Sequence, residues 1–204
     1  MFPIRLLALA ALTEAHFVLQ VPTSLGFSDV LEGTAPCGSF DISSRAGESS
    51  WPLAGAPFQL ITTHPQSDWQ IRAALLNDTA NFQPLVPVVS QQGTGTFCLP
   101  AVPGIAAWEG QDAVLQAIQH SADGELYQCA AIKFVPGSAA AGPQSCKNST
   151  NVSASFKPGS TASSPGNSST TTSHKSAAEK SWADPASGPL MLAAPLLTWL
   201  AVLY

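Results

Sequence analysis

A histidine that begins a mature chain can do chemistry that an internal histidine cannot. His16 follows Ala15, and residues 1–15 have the parts of a secretory signal peptide, with Arg5 near the front and an apolar run at 6–12. Cleavage after Ala15 would give His16 a free α-amine beside its ring Nδ1, and these two nitrogens can chelate one metal ion. Nitrogen ligands in a tetragonal plane suit Cu(II), which also heads the affinity order of the common divalent metals.

A second imidazole would complete such a site. His64 lies in a Thr63-His64-Pro65 turn at the end of a predicted strand, and the proline fixes that turn. His120 also ends a predicted strand, just before a hairpin. A lone histidine at a strand end is usually an ordinary exposed residue, and only the N-terminal histidine raises His64 above that interpretation.

The elements that must position these residues are strands. Apolar runs bounded by turn residues predict six strands, at residues 17–21, 58–63, 69–76, 95–99, 113–119 and 126–135. Residues 121–125 form a predicted hairpin loop with an Asp-Gly pair. No run shows a convincing helical period, although the connection at 24–50 has room for one short helix. The pattern therefore predicts an all-β fold, an antiparallel β-sandwich.

The two ends of the chain carry processing signals. Residues 189–204 are apolar and uncharged, and they follow a polar spacer at 179–188 and small residues that begin at Ser176. These are the three parts of a glycosylphosphatidylinositol (GPI) attachment signal, so we expect an anchor on Ser176 and removal of residues 177–204. A single-pass membrane anchor is the alternative, but the apolar stretch is short and contains two prolines.

A Ser/Thr-rich stalk is predicted at residues 147–176, where half of the residues are Ser or Thr. We expect this stalk to be disordered and glycosylated, which leaves residues 16–146 as one folded domain. The four N-glycosylation sequons begin at Asn77, Asn148, Asn151 and Asn167.

All four cysteines fall in the folded domain, and an even count in an exported chain predicts two disulfides. Three pairings are possible. Cys98 and Cys129 lie on predicted strands and could bridge them, which would leave Cys37 to pair with Cys146. The domain has three Lys or Arg and ten Asp or Glu, a net charge of 3 − 10 = −7, so we expect no nucleic-acid partner.

Several motifs, taken in order, resemble the fungal copper-acquisition factors, which are GPI-anchored relatives of the lytic polysaccharide monooxygenases. The motifs are His16-Phe17-Val18-Leu19-Gln20-Val21-Pro22, Cys37-Gly38, Thr63-His64-Pro65, Phe97-Cys98-Leu99-Pro100, Trp108-Glu109-Gly110-Gln111-Asp112-Ala113 and Asp123-Gly124-Glu125-Leu126-Tyr127-Gln128-Cys129-Ala130-Ala131. The resemblance covers residues 16–146. It implies an immunoglobulin-like β-sandwich that holds one copper ion (Cu2+) through the N-terminal histidine, a second histidine and a carboxylate.

The resemblance assigns the two histidine ligands to His16 and His64. For the carboxylate we choose Asp123 on the predicted hairpin, with Asp68 and Asp112 as alternatives, although an Asp-Gly turn residue is also common without any metal. Family members with an acid directly after the Cys-Ala pair would place the ligand there, but this chain has Ala131.

These expectations favour a monomeric surface protein that binds copper and delivers it to a membrane copper transporter or a metalloreductase. The protein would be held by its GPI anchor on the extracellular face of the cell membrane, or in the cell wall. One alternative is a polysaccharide monooxygenase, for which Trp51, Trp69 and Trp108 could stack on sugars, although buried tryptophan is the commoner role. The other is a structural glycoprotein without metal.

Overall fold

Strands dominate the computed structural model, which describes residues 15–122, 124–137 and 146–160. The described strands are β1 (Phe17–Val21), β2 (Ser49–Pro52), β3 (Ala56–Thr62), β4 (Gln66–Leu75), β5 (Gln83–Pro84), β6 (Val89–Gln92), β7 (Gly95–Val102), β8 (Asp112–Ser121), β9 (Gly124–Val135) and β10 (Ser153–Phe156). The only helical element in these ranges is a short 3-10 turn at Ala106–Trp108. None of the described segments is a helix long and apolar enough to cross a bilayer.

The strands form two sheets. A three-stranded sheet has the order β1-β3-β7, and a seven-stranded sheet has the order β10-β6-β4-β8-β9-β2 with β5 beside β4. Every pair is antiparallel except β2 with β9. The predicted all-β sandwich is therefore confirmed, with one parallel edge strand added.

Aromatic side chains from both sheets fill the space between them. The ring of Trp69 stacks on Phe97 with centroids 5.8 Å apart, and Phe17 meets Trp69 edge-on at 5.0 Å. Burial of Phe17 anchors β1 one residue after His16, so the core itself fixes the position of the backbone next to His16. Trp51 and Trp69 are both fully buried, which makes them core residues rather than a sugar-binding face.

The six predicted strands correspond to β1, β3, β4, β7, β8 and β9, with ends shifted by a few residues. The predicted hairpin is also present, because Ser121 pairs with Gly124. The connection at 24–48 contains successive turns rather than the short helix for which the sequence has room.

The folded region continues into residues that the sequence assigns to the stalk. β10 pairs with β6, Val152 is buried, and Asn148 Oδ1 accepts the backbone N–H of Cys98 at 2.7 Å. Serine-rich composition hides this strand because its side chains are exposed and its stability comes from backbone pairing at a sheet edge. The described part of the sandwich therefore reaches Phe156.

Two disulfides are present, but the predicted pairing is wrong. The structure joins Cys37 to Cys129 and Cys98 to Cys146, with Cα atoms 5.1 Å and 5.5 Å apart. Because side chains alternate along a strand, Cys98 next to core residue Phe97 and Cys129 next to core residue Ala130 both point away from the core. They therefore lie on opposite outer faces of the sandwich and cannot meet.

Candidate functional site

The ends of β1 and β3 bring His16 beside the Thr63-His64-Pro65 turn. The backbone N–H of Thr63 donates to the carbonyl oxygen of His16 at 3.0 Å, and the Thr63 hydroxyl donates to the same oxygen at 2.9 Å. The backbone nitrogen of His16 donates to Thr63 Oγ1 at 2.8 Å. Because His64 follows Thr63, the two histidines proposed as ligands stand at adjacent strand ends.

The ring of His16 is oriented by the connection at 24–48. Its Nε2 lies 3.0 Å from the carbonyl oxygen of Asp29. A carbonyl only accepts hydrogen bonds, so this contact requires the proton on Nε2 and leaves the Nδ1 lone pair for a metal ion. Such hydrogen bonds to the ring nitrogen that faces away from the metal are typical of metal-bound histidines. The ring of Phe27 adds an edge-on contact, with centroids 6.4 Å apart.

His64 is held in a buried turn rather than on an exposed strand end. Only 4% of its surface is accessible. Its backbone N–H donates to Thr62 Oγ1 at 3.2 Å, and its carbonyl oxygen accepts from Gln91 Nε2 at 3.3 Å. Gln119 Nε2 in turn donates to Thr62 Oγ1 at 3.0 Å. Buried amide side chains thus fix the backbone on which the second imidazole stands.

A buried carboxylate next to this site was missed by the sequence analysis. Glu32 is 1% exposed, and its Oε1 accepts from Gln128 Nε2 at 2.6 Å. Its Oε2 is buried with no hydrogen-bond partner among the described residues. Burial raises the pKa of Glu32 from 4.5 to about 7, against the opposing effects of Gln128, the Phe17 backbone and the nearby His16 charge. No sequence signal marks Glu32, since an acid in a turn is ordinarily exposed.

The predicted carboxylate ligand, Asp123, lies outside the described residues. Asp68 accepts from Ser90 at 2.5 Å and forms an ion pair with Lys157 at 2.6 Å, on the outer face of the seven-stranded sheet. Burial acts to raise the pKa of Asp68, but the Lys157 and Ser90 hydrogen bonds outweigh it and leave that pKa below its usual value. Its neighbouring bonds therefore already satisfy this carboxylate.

The second alternative, Asp112, stands at the opposite end of β4 and β8 from His64, where it pairs with Lys133 at 3.1 Å. His120 lies opposite Asp68 on the outer sheet face, and its Nδ1 is 2.9 Å from Glu125 Oε1. The described residues thus bring together His16 and the His64 turn, and they keep Asp112 and His120 engaged elsewhere.

The other predicted sites can be placed only in part. Asn77 is exposed in the turn after β4, and Asn148 and Asn151 are exposed on the segment before β10. Asn167 and the predicted anchor residue Ser176 lie outside the described residues.

The residues at this site fit a copper ion. No group of three or more His, Cys, Asp or Glu side chains in the described ranges is arranged to hold a metal. A copper chelate at an N-terminal histidine does not need such a group, because two imidazoles and one amine supply three nitrogens. The Nε2 bond to Asp29 favours the tautomer with an open Nδ1, and the His64 turn is adjacent.

Known proteins resemble this chain over the same region. The family described as copper acquisition factor BIM1-like matches residues 14–151, which is more than half of the chain. An uncharacterised protein of Aspergillus fumigatus is 37% identical over 162 residues, which cover 74% of this chain and 66% of that protein. The lytic polysaccharide monooxygenase-like protein X325 of Yarrowia lipolytica is 30% identical over 164 residues, which cover 74% of this chain and 60% of that protein.

The chain thus spans less than two thirds of the length of either relative. Because the family match covers residues 14–151, which include strands β1 to β9, this chain belongs to the BIM1-like copper acquisition factor family.

Proposed function

We propose that the mature protein binds one copper ion at the cell surface through the His16 amine, His16 Nδ1 and the His64 imidazole. The observation that carries this proposal is the hydrogen-bonded pairing of His16 with Thr63, which sets the two histidines at adjacent strand ends. The Asp29 carbonyl orients the His16 ring, and the buried polar cluster around Thr62 holds the His64 turn. Binding then needs little ordering of the protein.

Copper is the cargo in this proposal, and the protein would acquire it for a membrane copper transporter or a metalloreductase. Nitrogen ligands hold Cu(II) strongly, and a neighbouring buried carboxylate would offset the charge of the ion. The family supports a role in copper acquisition, and the predicted signal peptide and GPI signal support a location on the extracellular face of the membrane.

The test is a copper titration of the protein with and without one extra residue before His16. The extension converts the amine into an amide, so we expect affinity for Cu(II) to fall by roughly two orders of magnitude or more. His64→Ala should also weaken binding, whereas His120→Ala, on the outer sheet face, should not. Electron paramagnetic resonance should count three nitrogens in the unextended protein. Unchanged affinity after the extension would remove the chelate.

Polysaccharide oxidation is the competing activity, suggested by the name of the Yarrowia lipolytica relative. Burial of Trp51 and Trp69 removes two of the three candidate stacking residues, and this disfavours a flat sugar-binding face. Release of oxidised oligosaccharides from fungal wall glucan or chitin, in the presence of copper and a reductant, would favour the enzyme over the carrier.

A further inference from the structure

Exposed apolar side chains are concentrated around His16. Six large hydrophobic side chains are exposed in the described ranges, and five of them lie on segments that carry or adjoin His16. We call these five the apolar rim: Val18 (36% exposed), Phe27 (41%), Val30 (89%), Leu31 (43%) and Ile61 (38%). Scattered exposed apolar residues need no explanation, but a cluster around a candidate metal site indicates an interaction surface.

The members of the rim adjoin the site through specific contacts. Val18 follows His16 by two residues on β1, so both side chains leave the same face, and Val18 pairs in register with Ile61. Phe27 meets the His16 ring edge-on. The two remaining members follow directly after Asp29, whose carbonyl accepts from His16 Nε2.

The connection at 24–48 presents its part of the rim on an anchored backbone. Leu25 N–H donates to the carbonyl of Cys129 at 2.7 Å, and Tyr127 N–H donates to the carbonyl of Glu32 at 2.8 Å. The disulfide from Cys37 to Cys129 fastens the same segment to β9. A surface that is already ordered loses little entropy when a partner binds.

The connection at 24–48 is negative at its surface, with Asp29 and Asp41 exposed and Glu32 buried. Its one basic residue, Arg45, is paired with Glu48 and donates to the carbonyl oxygens of Ala113 and Ile132, away from His16. A second copy would bring Asp29 towards the same acid across a two-fold axis, which is repulsive. An anionic lipid surface would also be repelled. Charge complementarity instead favours a protein with an apolar face bordered by Lys or Arg.

We propose that the apolar rim docks such a basic-bordered protein and that copper is handed over within this contact, an inference that rests on the proposed copper function. The rim would exclude water around the two histidines while the acids orient the partner. Because Phe27 contacts the His16 ring and Val30 and Leu31 follow Asp29, a partner docked on the rim would lie beside the ion.

The experiment compares copper accumulation in copper-limited cells whose only copy of the full-length chain is a variant. Val30→Ser/Leu31→Ser should lower accumulation to the level of cells that lack the protein. The same variant, released from the cells by a phospholipase that cuts the predicted GPI anchor, should keep its affinity for Cu(II). Asp41→Lys, which reverses an exposed acid of the same connection without touching the two histidines, should also lower accumulation and leave the affinity for Cu(II) unchanged. Matched controls are Phe156→Ser, the exposed hydrophobic outside the rim, and Glu109→Lys, at the opposite end of the sandwich. Both should accumulate copper as wild type does.

The remaining outcomes of this experiment would each overturn docking of a basic-bordered protein. Wild-type accumulation with the rim variants, together with low accumulation for His64→Ala, would overturn docking and leave the copper function standing. Equal accumulation for wild type and His64→Ala would overturn both. If the released protein forms concentration-dependent dimers that disappear in Val30→Ser/Leu31→Ser, the partner of the rim is a second copy of this chain. If it binds phosphatidylserine vesicles and this binding disappears in the same variant, the partner is a lipid surface.

Discussion

The side chains of Gln128 and Glu32 close the outer edge of β1. Gln128 Oε1 accepts the Leu19 N–H at 3.0 Å, and its Nε2 donates both to the carbonyl of Phe17 and to Glu32 Oε1. An edge strand ordinarily leaves such backbone groups to solvent or to another chain. Here the Gln128 side chain, itself bonded to Glu32, satisfies them, so the strand that follows His16 is held on both edges.

Glu32 should make the copper-free protein less stable as pH rises. Its pKa of about 7 in the folded state exceeds 4.5 in the unfolded chain, so the unfolded state loses this proton first. The contribution is complete below pH 4.5 and is lost as pH rises through 7, by on the order of 3 kcal/mol. Glu32→Gln should remove that part of the pH dependence in urea unfolding. Glu109→Gln is the exposed control and should keep the wild-type slope; an identical slope for Glu32→Gln would contradict the assignment.

At the scale of elements, the disulfide from Cys37 to Cys129 ties the turn-rich connection to the sheet. Replacement by Cys37→Ser/Cys129→Ser opens a loop with a sequence separation of 92, which should lower the free energy of unfolding by about 2–5 kcal/mol. Copper affinity should also fall, because the same connection carries the Asp29 carbonyl that orients His16. The disulfide from Cys98 to Cys146 fastens a different segment to β7. Its removal by Cys98→Ser/Cys146→Ser should therefore lower stability without that loss of copper affinity. Calorimetry and copper titration of the two double variants distinguish the roles.

The edge strand β10 gives a second prediction for the elements. A chain that ends at residue 146 loses the burial of Val152, the bonds of β10 to β6 and the ion pair from Lys157 to Asp68. We expect its free energy of unfolding to be at least roughly 2 kcal/mol below that of a chain ending at residue 160. Ending the chain at 160 or at 176 should make no difference. If the chains that end at residues 146 and 160 are equally stable, the folded domain ends at residue 146, as the sequence predicts.

Sequence patterns predicted the strands that have mostly apolar residues and missed the strands that have mostly polar ones. β4 alternates apolar and polar side chains from Trp69 to Ala73, and this alternation is visible without a structure. β6 was missed because only one of its two buried residues, Val89, is apolar, whereas the other is Gln91, and buried amides cannot be told from exposed ones in a sequence. The prediction of the cysteine pairing was wrong for a related reason. A cysteine on a strand points to the outer face of one sheet or the other, and the sequence does not tell which sheet its strand joins. His16 and His64 were singled out because a predicted N-terminal histidine is itself a chemical signal, and their role as copper ligands stays a prediction.

On the scale of the whole molecule, the sandwich has its candidate metal site at one end and a serine-rich segment after it. We propose that Ser176 carries a GPI anchor, since small residues, a spacer and an apolar tail follow in order. Phosphatidylinositol-specific phospholipase C should release the protein from intact cells. Ser176→Trp should reduce the releasable fraction, whereas Ser160→Trp should not. Resistance to the enzyme together with extraction only by detergent would favour a membrane-spanning tail.

The hydrogen bonds between His16 and Thr63 also bear on when the proposed signal peptide would have to be removed. A peptidase needs its substrate extended and accessible around the bond to be cut. In the fold, the backbone nitrogen of His16 is bonded to Thr63 and the His16 ring is bonded to Asp29. The proposed cleavage between Ala15 and His16 would then have to precede the pairing of β1 with β3. A chain that folded uncut would keep an amide where the proposed copper site needs an amine. The proposed processing and the proposed copper binding would thus depend on the same peptide bond.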